Sequence, residues 1–168
     1  KILAELMKDA KGEILIHTPY VICNDWMYDS FREICKQNPE VSLLTNSAAN
    51  NGNPFGAADY RMNRDKLLDT GLTLYEYEGG VSYHGKSIVM GEELSAVGSF
   101  NMDMRSVYLD TEMMLVIDSR EVTAQLKEYL TAYEEESVKV LPDGTREIPE
   151  GVTPQELTGK RKILVFLV

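Results

Sequence analysis

Three short apolar runs, separated by two stretches with helical spacing, constrain most strongly how the first half of this chain can fold. The runs cover residues 13–17, 41–45 and 72–77, and each has the length of one buried strand. Helices are predicted at residues 2–10, at about 25–37 behind a cap at Asn24 or Asp25, and at about 57–69. Alternation of this kind requires crossover connections, which place the strands parallel in one sheet.

The second half of the chain has a different pattern of predicted elements. Short strands are predicted at residues 87–90, 94–98 and 112–117, which indicates a hairpin plus a return strand. A last helix is predicted at about 120–136, capped by Ser119, and residues 137–168 are predicted to be a Pro- and Gly-containing linker with a basic and then apolar tail. The predicted fold class is therefore α/β, with a mixed, mostly parallel central sheet and helices on both faces.

The charge balance limits the classes of partner. The chain has 17 Lys and Arg against 27 Asp and Glu, a net charge of −10. Proteins that hold nucleic acid normally present a basic stripe to the phosphates, so no nucleic-acid partner is expected. Any phosphate or lipid site must be local. Cys23 and Cys35, the only cysteines in the sequence, are predicted to be reduced, mostly buried thiols.

The most informative chemistry lies between residues 84 and 101. His84 and Lys86 are separated by one residue, so on a strand both side chains leave the same face. This pairing of two basic groups makes sense if an anion binds between them. Farther on, the Ser99 hydroxyl and the Asn101 amide follow Gly98, whose missing side chain lets backbone approach a ligand closely. Together these groups predict a phosphate site with a histidine available as nucleophile or proton carrier.

Such a histidine needs a fixed tautomer. A carboxylate on one ring nitrogen provides it and also stabilises the ring once it is charged. Glu112, on the next predicted strand, is the candidate for this role.

These residues together resemble the signature of the phospholipase D superfamily. The ordered pattern His84-x-Lys86, then Gly98-Ser99-x-Asn101 and finally Glu112, is far more specific than a lone glycine-rich loop. The runs GSFNMDMRS and DTEMMLVI, together with Thr18-Pro19-Tyr20 and Leu44-Thr45-Asn46-Ser47, are most similar to bacterial cardiolipin-synthase-type members. One departure is Gly91, where the family usually has an aspartate regarded as structural.

The resemblance implies a two-step phosphatidyl transfer on membrane phospholipids that uses no metal or other cofactor. One histidine attacks the phosphodiester to form a phosphohistidine, and a second protonates the leaving alcohol. Residues 1–136 then form one catalytic half-domain, completed by the other half of a longer parent chain or by a second copy. Whether His84 is the nucleophile or the acid stays open. Hydrolysis of phosphatidyl lipids, nucleic-acid cleavage and a non-catalytic phosphate-binding half are the alternatives.

Other polar residues are candidates for the rim of the site. Tyr20 follows a strand that runs toward the cleft, and Asn46 with Ser47 either bounds the cleft or makes an ordinary turn. Arg105 either reaches the phosphate or pairs with Asp103 or Asp110. His17, in contrast, is expected to be a hydrogen-bonded structural residue.

The two ends of the sequence suggest a larger, membrane-associated protein. The chain starts at Lys1 rather than methionine, so it is expected to be part of a longer protein in which an upstream membrane or targeting segment is possible. The resemblance places that protein on the cytoplasmic side of a membrane. Residues 159–168 are expected either to dock on the membrane interface or to pack on the rest of the parent chain.

Overall fold

An eight-stranded mixed sheet forms the centre of the computed structural model, which describes residues 1–167 apart from the side chains of residues 160, 161, 164 and 167. The strands are β1 (Ile14–His17), β2 (Val21–Ile22), β3 (Val41–Asn46), β4 (Thr73–Tyr77), β5 (Ser87–Met90), β6 (Leu94–Gly98), β7 (Met102–Asp103), β8 (Met114–Asp118), β9 (Ser137–Val140) and β10 (Arg146–Glu147). The order across the sheet is β10-β9-β4-β3-β1-β5-β6-β8, while β2 and β7 pair separately.

The predicted α/β class and mixed sheet are confirmed, but the parallel part is smaller than expected. Only β1, β3 and β4 pair in parallel within the large sheet. The hairpin of β5 and β6 adds to β1 in antiparallel orientation, β8 follows, and β9 adds to β4 in the same way. Crossover helices connect β1 to β3 and β3 to β4, which pair in parallel, whereas β5 and β6 are joined by a tight connection and pair antiparallel.

Six helices accompany these strands. They are α1 (Ile2–Asp9), α2 (Asp25–Gln37), α3 (Pro54–Leu68), α4 (Met104–Tyr108), α5 (Arg120–Glu134) and α6 (Gly159–Leu167). The predicted caps are confirmed, because the Asn24 side chain accepts from the Met27 amide and Ser119 accepts from the Val122 amide. Among the described residues, no helix is long and apolar enough to cross a membrane.

Helices cover both faces of the sheet, as predicted. Ile14 and Ile16 point to the face that packs against α1, α2 and α3, whereas Leu15 between them points to the opposite face and contacts Leu130 of α5. Period-two alternation along β1 therefore supplies both halves of the core. Because β1 is buried on both sides, it reads in the sequence as a continuous apolar run.

The prediction of a linker beginning at residue 137 is wrong. Residues Ser137–Val140 form β9, whose Val138 and Val140 are fully buried beside β4. The run SVKV has the strand-like alternation that the nearby Pro and Gly residues obscured. The terminal segment forms α6, which packs on α3 through Val165 against Ala57 and Ala58.

Several strands of the sheet end or begin at the same edge. His17 of β1 is in register with Ser87 at the start of β5, and Asn46 of β3 is in register with Tyr77 of β4. Gly98 at the end of β6 donates its amide to the Lys86 carbonyl, 3.2 Å away. The segments that follow or precede these strand ends therefore meet in one place, which is where open α/β sheets hold their ligands.

Candidate active site

His84 and Lys86 form the centre of the site, although neither lies on a strand. Both belong to the segment between β4 and β5, so the prediction that they alternate on a strand is wrong. The Lys86 ammonium instead folds back, with Nζ 2.8 Å from His84 Nδ1 and 2.7 Å from the His84 carbonyl oxygen. The His84 side chain is exposed to solvent at this edge. The two basic groups are thus adjacent and accessible, as an anion site requires.

The electrostatics of this pair favour a neutral imidazole. Partial burial lowers the pKa of His84, and the nearby positive charge of Lys86 lowers it further. Burial also lowers the pKa of Lys86, while the carboxylates of Glu112 and Asp103 oppose that effect. A ring that accepts a hydrogen bond from Lys86 at Nδ1 carries its proton on Nε2. Burial and the charge of Lys86 therefore both favour the neutral His84 ring over the imidazolium.

Ser99 and Glu112 form a second group beside this pair. The Ser99 hydroxyl donates to Glu112 Oε2 and accepts from the Met113 amide at 3.1 Å. Gly98 is required here because a Cβ at this position would collide with the Met113 carbonyl. The glycine thus lets the backbone before β8 approach β6, rather than a ligand as the sequence suggested, and so brings Glu112 to Ser99.

Ser106 forms hydrogen bonds with both Glu112 and Asn101. Its hydroxyl donates to Glu112 Oε1 at 2.8 Å, and it accepts from the Asn101 amide N–H at 3.2 Å. Ser106 is itself fixed in the first turn of α4 by the Asp103 cap, which accepts from its amide at 2.7 Å. The Asn101 side-chain oxygen is buried and has no hydrogen-bond partner among the described residues. The sequence signal for this link is the spacing of Asp103 and Ser106, an N-cap followed by its partner.

The predicted contact between Glu112 and the His84 ring is not formed. Glu112 bonds to the two serines, and these bonds, from Ser99 first and then Ser106, hold the pKa of its carboxyl below the ordinary value. Its charge reaches His84 only indirectly, because Lys86 stands near both. The side chains are therefore arranged across the site in the order His84, Lys86, Glu112 and Ser99.

Asn46 has a different role from the rim position considered in the sequence. It is fully buried, accepts from the Tyr83 amide at 2.7 Å, and donates to the carbonyls of Tyr83 and Pro19 at 2.9 and 3.2 Å. Asn46 thereby fixes the residue before His84 and the residue before Tyr20. Ser47 instead accepts from the Asn50 amide and donates to Glu78, which makes it part of the loop and not of the site.

The structure places the other two candidates for the rim of the site, Tyr20 and Arg105, in different surroundings. Tyr20 lies beside His84, with ring centroids 6.0 Å apart in an edge-to-face arrangement. Arg105 pairs with Asp110 at 3.0 Å, and its side chain is 76% exposed. The structure thus brings Tyr20 to the site and holds Arg105 in a surface ion pair.

A second histidine lies buried behind the site. His17 is 1% exposed, and its Nε2 is 3.5 Å from Glu134 Oε1 of α5. The expected hydrogen bond to a ring nitrogen is absent among the described residues. Burial lowers the pKa of His17, with Glu134 opposing, and its ring packs edge-on against Tyr83 at 5.7 Å. His17 therefore supports the segment that carries His84 by packing.

Comparison with known proteins decides the family. The family described as "Cardiolipin synthase, PLD-like domain" matches residues 3–133. This chain belongs to that family. Cardiolipin synthase A of Yersinia pseudotuberculosis is 31% identical over 137 residues, which cover 82% of this chain and 27% of the relative. Cardiolipin synthase A of Wigglesworthia glossinidia brevipalpis is 29% identical over 133 residues, covering 79% and 26%. The PLD-like domain thus spans about a quarter of the length of these relatives.

Solved structures confirm the fold of the PLD-like domain. Phosphatidylserine synthase from Haemophilus influenzae matches with a TM-score of 0.70 and 15% identity, covering 99% of this chain and 40% of that one. Nuc, a phospholipase D family member from Salmonella typhimurium, matches with a TM-score of 0.67 and 15% identity, covering 83% and 89%. The predicted membership of the phospholipase D superfamily is confirmed.

Gly91, the departure from the family pattern, lies far from His84. It follows β5, whose four residues at about 3.3 Å each separate it from the site. It has a φ of +67°, and a Cβ there would lie 2.5 Å from the Lys11 carbonyl oxygen. The backbone of this PLD-like domain therefore closes over the place where the usual aspartate would stand, and the constellation around His84 is untouched.

Restoring that aspartate should harm the protein rather than activate it. We expect Gly91→Asp to lower the free energy of unfolding by about 1–3 kcal/mol, because it adds a strained φ and a clash with Lys11. Urea unfolding measures the change. Gly144→Asp is the matched control, since Gly144 has a φ of +82° with open space around it. Equal losses in the two variants would show that the clash is unimportant.

Removing the Ser106 hydroxyl should change the pH dependence of activity. One hydrogen bond that lowers the pKa of Glu112 is lost in Ser106→Ala, so the carboxylate becomes protonated at a higher pH. If ionised Glu112 is required, the acidic limb of kcat/KM moves to higher pH and kcat falls by about tenfold. A pH profile that is unchanged relative to wild type would show that Ser106 only caps local structure.

Proposed function

We propose that this chain supplies one of two catalytic motifs of an enzyme that transfers phosphatidyl groups between phospholipids, in the manner of a cardiolipin synthase. One observation carries the proposal. Lys86 contacts the exposed His84 ring but has no carboxylate within ion-pair distance among the described residues. In a chain of net charge −10, an ammonium left without an ion-pair partner beside a neutral imidazole is suited to a phosphodiester.

Binding of the phosphodiester prepares His84 for the reaction. An anionic oxygen that attracts Lys86 Nζ withdraws the hydrogen bond from Nδ1. The neutral ring can then present an unprotonated nitrogen to phosphorus. Alternatively, Nδ1, freed from Lys86, takes up a proton from solvent, and the resulting imidazolium donates a proton to the leaving oxygen. Ser99 and Asn101 lie on the loop that follows β6. In the proposed reaction the Asn101 side-chain amide donates to a phosphate oxygen, and the Ser99 hydroxyl, which donates to Glu112 in the free protein, turns to do the same.

The reaction then proceeds in two displacements. In the first, a histidine nitrogen forms a bond to phosphorus, the bond from phosphorus to the glycerol head group breaks, and a second histidine gives its proton to the leaving oxygen. In the second, the hydroxyl of another phosphatidylglycerol attacks phosphorus, loses its proton to that second histidine and releases the first. Cardiolipin and glycerol are the products. His84 can fill either histidine role: as nucleophile it must be unprotonated at the attacking nitrogen, and as acid it must first be protonated to the imidazolium.

The second histidine comes from outside this chain's own site. His17 is buried and unable to reach a ligand, so the described residues contain one accessible imidazole, that of His84. The edge strand β8 and the residue before it are apolar and exposed, with Met113 at 80% and Leu115 of β8 at 61%. An exposed apolar edge of this kind favours a covering partner, which is either the other half of a longer parent chain or a second copy.

Hydrolysis to phosphatidic acid is the second candidate function. It shares the first displacement and differs only in that water attacks in the second. The exposure of His84 and Ser99 to solvent supports it, because nothing in the described part of the chain excludes water from them.

The test is a comparison of substrate classes. The protein, in its natural sequence context, is incubated with phosphatidylglycerol in mixed micelles and, in parallel, with single-stranded DNA. We expect the lipid to be consumed and the DNA to stay intact. Robust DNA cleavage without lipid turnover would overturn the choice of substrate, and no reaction with either would favour a non-catalytic phosphate-binding half.

A further inference from the structure

The terminal helix α6 lies along α3 near the active-site edge. Its Val165 is 2% exposed and contacts Ala57 and Ala58, while the Arg61 guanidinium stacks over the Phe166 ring at 3.8 Å. These contacts involve the first half of α3, which begins at Pro54 just after the loop that follows β3. The helix is therefore seated on the same end of the molecule as His84.

Four large apolar side chains of these two helices are exposed. Ile163 and Phe166, three residues apart on α6, are 58% and 54% exposed. Phe55 and Met62, seven residues apart and thus on one side of α3, are 63% and 64% exposed. Large side chains concentrated in this way on a soluble surface mark an interaction site rather than random exposure. We call this surface, with Lys162 and the nearby Val81, the α3–α6 face.

This face continues to the rim of the catalytic site. Val81 is 80% exposed and precedes Ser82, whose hydroxyl accepts from the Gly52 amide at 3.1 Å, close to the start of α3. On the other side, Gly56 lies against the Tyr20 ring, which in turn packs on the His84 ring. The exposed apolar residues and the reactive imidazole therefore share one boundary.

The charge of α6 contrasts with that of the whole chain. The segment Gly159–Leu167 contains Lys160, Arg161 and Lys162 and no acidic residue, whereas the chain as a whole carries −10. Lys162 is exposed on the same side of the helix as Ile163 and Phe166. A short helix that combines basic residues with exposed apolar ones is suited to the interface of an anionic bilayer.

We propose that the α3–α6 face lies on the surface of an anionic phospholipid bilayer and holds the His84 site at the level of the lipid head groups. The inference rests on the proposed lipid substrate, and it adds the surface through which that substrate is reached. Phe55, Val81, Ile163 and Phe166 enter the interface, and Lys162 contacts anionic head groups. Part of the apolar side of α6 is already used against α3, so the helix lies in the plane of the interface.

Vesicle binding tests the proposal. The chain is mixed with vesicles of phosphatidylcholine alone or of phosphatidylcholine with phosphatidylglycerol, and the bound fraction is measured by flotation. We expect binding to the anionic vesicles, weakened about fivefold by Lys162→Gln, since one basic residue at an anionic surface contributes that much. Ile163→Ser and Phe55→Ser should each weaken it by roughly tenfold, through lost apolar burial.

Val122→Ser is the matched control. Val122 is 39% exposed on α5, on the opposite face of the sheet, and its replacement should leave vesicle binding unchanged. Thermal unfolding of each variant verifies that the fold is retained, and Lys162→Gln alone stays decisive if an apolar variant unfolds.

The outcomes separate this proposal from the proposed function. Wild-type failure to bind anionic vesicles, or variants that bind as well as wild type, would overturn the α3–α6 face even if phosphatidylglycerol in micelles is converted. Loss of dimerisation in Ile163→Ser with vesicle binding intact would assign the face to a second copy. Binding that depends on this face without any lipid turnover would leave the docking surface standing and refute the function.

Discussion

His84→Ala should lower phosphatidyl transfer by about a thousandfold or more, because the variant loses the only accessible imidazole in the described part of the chain. Its fold should be unaffected. The His84 side chain is exposed and its polar partner is Lys86, so the free energy of unfolding should change by less than about 0.5 kcal/mol. Steady-state kinetics with phosphatidylglycerol and a urea titration measure the two quantities.

The control for this variant is a basic residue at the far edge of the sheet. Lys127→Ala breaks an exposed ion pair with Glu13, and it should leave both turnover and stability near the wild-type values. If His84→Ala retained more than a tenth of the activity, the site assembled around Lys86 could not be the reactive one. If Lys127→Ala were equally inactive, the loss would reflect charge and not the position of the imidazole.

Asn46→Ala should have the largest effect on stability. The substitution leaves the Tyr83 amide and the carbonyls of Tyr83 and Pro19 buried without partners, and each such group costs about 1–3 kcal/mol. We expect a loss of roughly 3–5 kcal/mol in the free energy of unfolding, which is a large share of the stability of a typical domain. Turnover should fall as well, because the backbone beside His84 is no longer held.

Ser47→Ala is the neighbouring comparison for Asn46. It removes a hydrogen bond to Glu78 and one from the Asn50 amide, outside the segment that carries His84. A loss of about 1 kcal/mol with unchanged kcat is expected. Equal effects of the two variants on kcat would show that Asn46 acts as general loop structure and not through the position of Tyr83.

The sequence predicts those parts of the fold that depend on local pattern. The buried strands β1, β3 and β4 follow from their apolar runs, and the caps at Asn24 and Ser119 follow from residue type. Strand β9 could not be found in this way, because SVKV is short and is closely followed by Pro142 and Gly144. Its pairing with β4 is decided by the space left at that edge, which is a tertiary effect.

The candidate site shows the same difference between features that depend on local sequence and features that depend on tertiary structure. The motif names residues that the structure brings to one place, but it predicted that Glu112 would contact His84, whereas Glu112 contacts Ser99. It does not give the path of the backbone, so the loop position of His84 and the contact of Glu112 with Ser106 were not predicted. Asn46 was considered for the cleft because polar residues at strand ends often bind ligands. In the structure, however, its side-chain amide donates to two buried carbonyls, those of Pro19 and Tyr83.

Gly91 illustrates how a departure from a family pattern is interpreted only with the structure. In the sequence it stands where the family usually has an aspartate regarded as structural. In the structure it occupies a turn at the opposite edge of the sheet, where the Lys11 carbonyl fills the space that a side chain would need. A local compensation at that turn is therefore compatible with an intact catalytic edge.

The most direct test of the account is the identity of the products formed from phosphatidylglycerol. The protein in its natural sequence context is incubated with this lipid in mixed micelles, and the lipids and the water-soluble fraction are analysed by mass spectrometry. We expect cardiolipin and glycerol in equal amounts, and neither product with His84→Ala. Phosphatidic acid as the main product, or cardiolipin that still forms in the His84→Ala variant, would contradict this expectation.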